Sequence, residues 1–212
     1  IKRRISQFRM VSYHLPFGEI NISALHPRIR REAIEETKKH IDLCQKIGVN
    51  RVVMHPGCFA AMPDIYLLMK KQAREIAEKS IVEIFDHCQA KNMKLSIENL
   101  PRNEPLFQKP EEFEPLVEMG IGMALDTVHA FVSNVEPTEF IRRFGARISE
   151  VHLTDGVKDD PISHYPLGAG EVDCLVVLSE LRKADFDGPI ILEVGGKENV
   201  IRSREFLEGR TH

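Results

Sequence analysis

Tryptophan is absent from this 212-residue chain, and tyrosine is scarce, with three residues. Proteins that bind single-stranded nucleic acid stack successive bases on aromatic rings, so this scarcity counts against such a surface. No charge of one sign dominates either, because 29 lysine and arginine residues stand against 32 acidic residues, for a formal net charge of −3. The sequence therefore offers no general electrostatic attraction for a phosphate backbone.

Long hydrophobic runs and paired cysteines are also missing. Apolar stretches such as Cys174 to Leu178 are far too short to cross a bilayer, and no signal-peptide pattern is present. The four cysteines are scattered without a Cys-x-x-Cys pair, which suits a reducing cytosol better than a disulfide framework. We expect a soluble cytoplasmic protein with reduced thiols and no membrane partner.

Short β-rich segments alternate with longer segments of helical period, a pattern typical of an α/β protein whose parallel sheet is wrapped by helices. Six strands are predicted, at Met10–His14, Arg51–His55, Lys94–Glu98, Gly122–Asp126, Ile148–His152 and Ile190–Glu193. Two long helices are predicted on the apolar faces Ile34 to Ile47 and Ile65 to Cys88, and shorter ones at Glu111–Met119, Thr138–Phe144, Cys174–Ala184 and Val200–Leu207.

The number of strands bears on the architecture. A (β/α)8 TIM barrel closes with eight strands, and six βα units are predicted here. We therefore expect residues 1–212 to form one barrel domain that is incomplete at its N-terminus and lacks its first two strands. The segment Ile1 to Ile5 resembles the end of a helix. We expect the native polypeptide to extend upstream by roughly 50 residues, about two further units.

Every predicted strand ends in a residue that can bind a metal ion. These residues are His14, His55, Glu98, Asp126, His152 and Glu193. Right-handed crossovers bring the carboxyl ends of all strands to one side of the sheet. So many carboxylates and imidazoles in one basin cost free energy unless a cation neutralises them, and this donor set suits zinc or manganese. His129 and His164, on the loops beyond, are further candidate ligands.

Two glycine pairs lie near these candidates. Gly168 and Gly170 follow His164 closely, but no Gly-Lys-Ser/Thr follows them, so a nucleotide-binding loop is not indicated. We favour a tight turn that directs His164 toward the metal. Gly195 and Gly196 either let a substrate phosphate approach the backbone or form a plain turn.

The order of motifs adds a resemblance over nearly the whole chain. It runs His, His-Pro-Gly, Glu-Asn, Asp-x-x-His-Ala, His-Leu-x-Asp, His-x-x-Leu-Gly-x-Gly and a final strand ending in Glu. This order is similar to that of the xylose isomerase-like barrels, which include sugar and sugar-phosphate isomerases and epimerases and the endonuclease IV type of apurinic-site nuclease (AP endonuclease family 2).

The resemblance implies roles for individual residues. The residues matching the metal-binding quartet of the superfamily are Glu98, Asp126, His152 and Glu193. The residues matching the further histidines with which endonuclease IV holds three zinc ions are His14, His55, His129 and His164. One position departs from the nuclease pattern, because Ile162 stands where that pattern has an aspartate.

The resemblance implies an isomerase or epimerase of a sugar or sugar phosphate. One divalent ion would stabilise an enediolate, and Glu98 and Glu193 would act as catalytic base and acid. Neighbouring histidines, His55, His129 and His164, would bind substrate oxygens.

The alternative is a zinc-dependent apurinic-site phosphodiesterase. Two or three ions would clamp a phosphodiester, with His14 and His55 as ligands, and nucleic acid would then be the partner. The full histidine set favours this alternative, and the near-neutral charge and Ile162 count against it. A third class is a metal-binding barrel without catalysis that serves as a regulatory partner. The oligomeric state stays open.

Overall fold

The computed structural model describes residues 2–58, 63–104, 106–161 and 164–209, without the side chains of residues 63–67. Within these ranges the chain forms two compact units. Unit 1 comprises Ile1–Glu98, Glu104–Phe107 and Pro115–Gly122, and unit 2 comprises Asn99–Asn103, Gln108–Glu114 and Met123–His212. No described helix has the length and apolar character needed to cross a membrane.

Unit 1 alternates helices and parallel strands. Its elements are α1 (Lys2–Ile5), β1 (Ser12–His14), α2 (Pro27–Ile47), β2 (Arg51–Met54), α3 (Pro63–Gln89) and β3 (Lys94–Glu98). Strand β2 lies between β1 and β3, and Val52 is in register with Tyr13 on one side and with Leu95 on the other. Helix α4 (Glu114–Glu118) and strand β4 (Gly122–Asp126) follow, and each has residues in both units.

The long helices of unit 1 follow from their sequence. Helix α2 begins with Pro27, which has no N–H to leave unbonded, and ends at Gly48, whose φ of +91° is a left-handed cap. Its buried residues recur every three or four positions, as helical spacing requires. They are Ala33, Ile34, Thr37, Ile41 and Cys44.

Unit 2 carries the second half of the alternation. Its further elements are α5 (Thr127–Val132), α6 (Pro137–Phe144), β5 (Ile148–Leu153), α7 (Cys174–Lys183), β6 (Ile190–Leu192) and α8 (Lys197–Glu208). Strand β5 lies between β4 and β6 and is parallel to both. Because His152 is in register with Asp126 and with Ile191, the carboxyl ends of these strands lie side by side.

The described residues contain six strands, as the sequence predicts, with boundaries within two residues of the predicted ones. One predicted helix is wrong in detail, and one helix was missed. The helix predicted at Glu111–Met119 is a 3₁₀ turn, Pro110–Glu112, followed by α4. Pro115 has no N–H for the carbonyl of Glu111, so one continuous helix cannot form there. Helix α5 was not predicted, and it starts where Asp126 caps its first turn.

Candidate metal-binding site

Three of the predicted site residues come together in unit 1, at the carboxyl ends of β1, β2 and β3. They are His14, His55 and Glu98, and their ligand atoms all lie within 4.8 Å of one another. The Nε2 atoms of His14 and His55 lie 3.0 and 3.5 Å from Oε2 of Glu98. Glu98 is buried, so its carboxylate has lost most of its water and depends on these neighbours.

An aromatic ring covers one side of this histidine pair. Phe17 stacks on His55, with ring centroids 4.3 Å apart, and meets His14 edge-on at 5.2 Å. A cavity of about 200 Å³ opens beside them, and its lining includes Leu15, Phe17, Met54 and His55. The pair therefore borders a mainly apolar space.

The glycine of the His-Pro-Gly motif is required by close packing. Gly57 has φ +101°, and an added Cβ would collide with Ser23, coming within 2.7 Å of its Cβ. Asn21 ties the two loops together, because its Oδ1 accepts the N–H groups of Ser23 and Cys58 and its Nδ2 donates to the carbonyl of Cys58. These contacts hold the segment that carries His55.

A second group lies in unit 2 and contains Asp126, His129 and His164, again with ligand atoms within 4.8 Å of one another. Asp126 Oδ1 accepts the N–H of His129 at 2.7 Å and so caps α5. His164 Nε2 lies 3.9 Å from Asp126 Oδ2. Residue Ile162, where the sequence departs from the nuclease pattern, lies outside the described residues.

The loop that carries His164 is built around one buried carboxylate. Asp155 accepts the N–H groups of Gly156, Gly168, Gly170 and Val172, each at 2.8 or 2.9 Å. The glycine N–H groups that a bound phosphate would need are therefore taken by Asp155. This supports the tight structural turn at Gly168 that the sequence analysis favoured over a phosphate-binding loop.

Helix α8 supports the same loop from the other side. Ser203 Oγ accepts the N–H of Leu167 at 3.1 Å and donates to the carbonyl of Asn199. One turn later, the ring of Phe206 lies against Gly168, where an added Cβ would come within 2.5 Å of it. The φ of Gly168 is +80°, so this position needs glycine on two grounds.

Unit 2 contains a further group that shares Asp126. The ligand atoms of Asp126, His152 and Glu193 lie within 4.8 Å of one another. His152 Nδ1 lies 2.6 Å from Glu193 Oε2, and on the other side of the ring Nε2 lies 3.1 Å from Glu150 Oε1. Asp126, Glu150 and His152 are buried, whereas the Glu193 side chain is 38% exposed.

Backbone carbonyls fix the ring protons of two histidines. Nδ1 of His14 lies 2.8 Å from the carbonyl of Leu15, and Nδ1 of His129 lies 2.9 Å from that of Asn99. A carbonyl only accepts, so in each case Nδ1 carries the hydrogen and Nε2 of a neutral ring has a lone pair. Since Nε2 of His14 faces the Glu98 carboxylate at 3.0 Å, a cation or a second proton is needed between them. Such orientation by a second hydrogen bond is typical of metal-ligating histidines.

The donor set fits a divalent cation. Asp126 and Glu193 carry two formal negative charges beside His152, and burial of unneutralised carboxylates is costly. Imidazole nitrogen with carboxylate oxygen is a combination that suits zinc or manganese.

The cysteine thiols are not part of the candidate metal-binding groups described above. All four cysteines are free, as predicted. Burial raises the pKa of Cys44 to about 11 and the pKa values of Cys88 and Cys174 to about 12. These thiols therefore stay protonated at neutral pH, and a protonated thiol is a poor metal ligand.

Two residues of this region had no role in the sequence analysis. Asp155 appeared only as a motif position, and Glu150 was not singled out. The spacing of Glu150 could have identified it. Residues i and i+2 of a strand lie on the same face, so Glu150 shares a face with His152. The signal for Asp155 is weaker, since three of its four N–H partners lie 13 to 17 residues later in the chain.

Comparison with known proteins indicates the family that the order of motifs resembles. A family model described as a xylose isomerase-like TIM barrel matches residues 1–210. The probable endonuclease 4 of Mycobacterium leprae is 25% identical over 217 residues, which covers 94% of this chain and 79% of the relative.

Solved structures share the fold. A D-tagatose 3-epimerase-like protein superposes with a TM-score of 0.86 at 23% identity, covering 98% of this chain and 79% of that one. A protein from Thermus thermophilus, soaked with ZnCl2, superposes with a TM-score of 0.70 at 23% identity and the same coverage. At this identity the likeness shows the fold alone.

Proposed function

Because the chain belongs to the xylose isomerase-like TIM-barrel family, we propose that it is a divalent-metal-dependent isomerase or epimerase of a sugar or sugar phosphate. The observation that carries the proposal is the group formed by Asp126, His152 and Glu193 at the ends of neighbouring strands. The structural likeness to a D-tagatose 3-epimerase-like protein, with a TM-score of 0.86, supports this reaction class.

We assign four ligands to one zinc or manganese ion, namely Glu98, Asp126, His152 and Glu193. The mutual distances within unit 2 support three of them. The burial of Glu98 at the end of β3, and its place in the shared order of motifs, support the fourth. When bound, the cation would polarise adjacent oxygens of the substrate as a Lewis acid and hold them in place.

The remaining chemistry falls to side chains of the chain itself. We assign Glu193 and Glu98 as the groups that remove and return the proton on the carbon next to the carbonyl. The partial exposure of Glu193 supports this, because its side chain is 38% open to solvent although Oε2, which faces His152, is buried. We assign His55, His129 and His164 to bind hydroxyl or phosphate oxygens, and the cavity beside His55 supports a substrate-facing position for that ring.

A second candidate function is an apurinic-site phosphodiesterase. The histidine groups favour it, because His14–His55–Glu98 and Asp126–His129–His164 could each hold a further cation. The similarity to the relative named probable endonuclease 4 also supports this second function. The formal net charge of −3 and the scarcity of tyrosine and tryptophan weigh against a nucleic-acid partner, so we place it second.

One experiment separates the two functions. The purified protein is stripped with a chelator, reloaded with Mn²⁺ or Zn²⁺, and incubated in ²H₂O with a panel of ketoses and ketose phosphates. Proton NMR follows exchange at the carbon next to the carbonyl and the formation of epimers. We expect exchange only after metal is restored. Cleavage of an apurinic-site duplex without any ketose exchange would establish the nuclease instead.

A matched pair of variants tests the assigned proton carrier. Glu193→Gln should slow exchange by about 10²–10⁴-fold, because a positioned general base is removed. Glu180→Gln, on helix α7 and paired with Lys183, should leave the rate unchanged.

A further inference from the structure

The ring of His152 lies between two carboxylates that differ in burial. Glu150 Oε1 is 3.1 Å from Nε2, and Glu193 Oε2 is 2.6 Å from Nδ1. Glu150 is buried on β5, two residues before His152 and on the same face of the strand. Glu193 is 38% exposed. The proposed catalytic chemistry gives Glu150 no task, yet burial of a carboxylate in a strand is costly.

When the ring is neutral, as a metal ligand must be, the two carboxylates compete for its one proton. A carboxylate only accepts hydrogen bonds, and a neutral imidazole donates only one. The contact of Nε2 with Glu150 has hydrogen-bond geometry, whereas Nδ1 and Glu193 Oε2 face each other at 2.6 Å without it. The proton therefore belongs on Nε2, and the lone pair of Nδ1 points toward Glu193 and Asp126.

We propose that Glu150 is a positioning residue that holds His152 in its Nε2–H tautomer and thereby sets the affinity of the site for a divalent cation. The part concerning affinity rests on the proposed function, whereas the part concerning the tautomer does not. His14 and His129 are held by neutral carbonyl oxygens, but His152 is held by a charged acceptor. A charged acceptor makes a stronger hydrogen bond and makes the ring a better electron donor.

The tautomer is tested in the metal-free protein. Histidine labelled with ¹⁵N gives different chemical shifts for a protonated and an unprotonated ring nitrogen, and His152→Asn identifies the signals. At alkaline pH, where the metal-free ring carries a single proton, we expect the wild-type protein to show protonated Nε2 and unprotonated Nδ1 at His152. Glu150→Gln keeps an acceptor and should keep this tautomer, whereas Glu150→Leu should populate both. A wild-type tautomer in Glu150→Leu would overturn the proposal.

Cation affinity is measured by competition with a fluorescent chelator for Zn²⁺ or Mn²⁺. Loss of the partner of a ligating histidine typically costs about 10–100-fold, which is the loss expected for Glu150→Leu, with a smaller loss for Glu150→Gln. The control is Glu112→Gln, which removes another buried carboxylate of unit 2 that accepts the N–H groups of Gln108 and Lys109. This control should bind the cation like wild type.

The outcomes separate this inference from the proposed function. If Glu150→Leu shifts the tautomer but the wild-type protein binds no cation, the proposed function fails and the role of Glu150 as a positioning residue stands. If wild type binds the cation and both Glu150 variants bind it within threefold of wild type, the inference fails and the proposed function stands. If Glu150→Leu does not fold, the nearly isosteric Glu150→Gln and the wild-type protein decide the test. Glu150→Gln should lose more than threefold in cation affinity, and wild-type affinity in this variant, or a protonated Nδ1 in the neutral ring of the wild-type protein, would overturn the proposal.

Discussion

The main chains of Asp155 and Tyr165 bond to each other in both directions, with N–O distances of 3.2 and 2.7 Å. Together with the four N–H groups that the Asp155 side chain accepts, this pairing closes the loop between β5 and α7 and fixes its neighbour His164. The position of a candidate ligand thus depends on a residue that lies outside the ligand set.

Replacement of Asp155 by asparagine should loosen this loop. The amide keeps one oxygen but turns an NH₂ group toward two backbone N–H donors, so we expect the free energy of unfolding to fall by about 3 kcal/mol. Activity per folded molecule should also fall, because His164 loses its fixed position. Urea unfolding and single-point assays measure the two effects. Asp159→Asn, an exposed change in the same loop, is the control and should change neither the free energy of unfolding nor the activity.

A Gly57→Ala substitution should displace the segment that carries His55. Two penalties combine, one from the positive φ and one from the collision with Ser23. A Gly18→Ala substitution distinguishes the two penalties. The φ of Gly18 is also positive, at +78°, but an added Cβ meets no atom within 4 Å. We expect Gly18→Ala to cost about 1–2 kcal/mol from backbone strain alone and Gly57→Ala to cost more. Equal losses in thermal unfolding would contradict the packing argument.

His14 and His55 should matter more for activity than for stability. Alanine at either position removes one or two polar contacts to substrate or cation, so we expect kcat/KM to fall by about 10–100-fold. The free energy of unfolding of the metal-free protein should change by less than about 1 kcal/mol, because neither ring fills the core. His26→Ala, on the exposed start of α2, is the control. A large stability loss with intact activity would refute the assignment.

Helices α2 and α3 provide a prediction about pH. The hydrogen bond from Lys38 lowers the pKa of Glu83 most, and Arg31 adds to it. Their nitrogens lie 2.6 and 2.8 Å from Glu83 Oε1. A carboxyl with a lowered folded-state pKa stabilises the protein above its unfolded value, near 4.5, and loses this effect as the pH falls.

Glu83→Gln should therefore destabilise the protein at pH 7 and much less near pH 3. The carboxylate is 38% exposed, so water and salt screen it and the difference should stay below about 1 kcal/mol. Urea unfolding of both proteins across this range, with and without added salt, measures the effect. A difference that does not change with pH would mean that the charge plays no part.

The sequence predicted the fold class and most of the strand ends. Alternation of strands and helices indicated a parallel sheet wrapped by helices, and the resemblance in the order of motifs indicated the xylose isomerase-like TIM barrel that the family match confirms. The grouping of His14 with His55 followed from the rule that parallel strands end on the same side, and the grouping of Asp126 with His129 followed from their spacing of three residues after one strand.

The role of Glu150 could not be predicted in the same way. In the segment Ile148 to Leu153, Glu150 and His152 share a face, and two charged residues on one face of a strand usually indicate solvent. The structure buries that face. Whether such a face meets water or a polar interior depends on distant parts of the chain, which local periodicity does not record.

The contact between Gly168 and Phe206 has a consequence for the divergence of this family. The loop position cannot gain a side chain, both because of its φ and because of the ring beside it, whereas the helix position can shrink without a clash. Substitutions should therefore accumulate at position 206 and not at position 168. In an alignment of relatives we expect residue 206 to vary while residue 168 stays glycine. Any lineage that replaces this glycine should also have a smaller residue at 206 and a loop of different length.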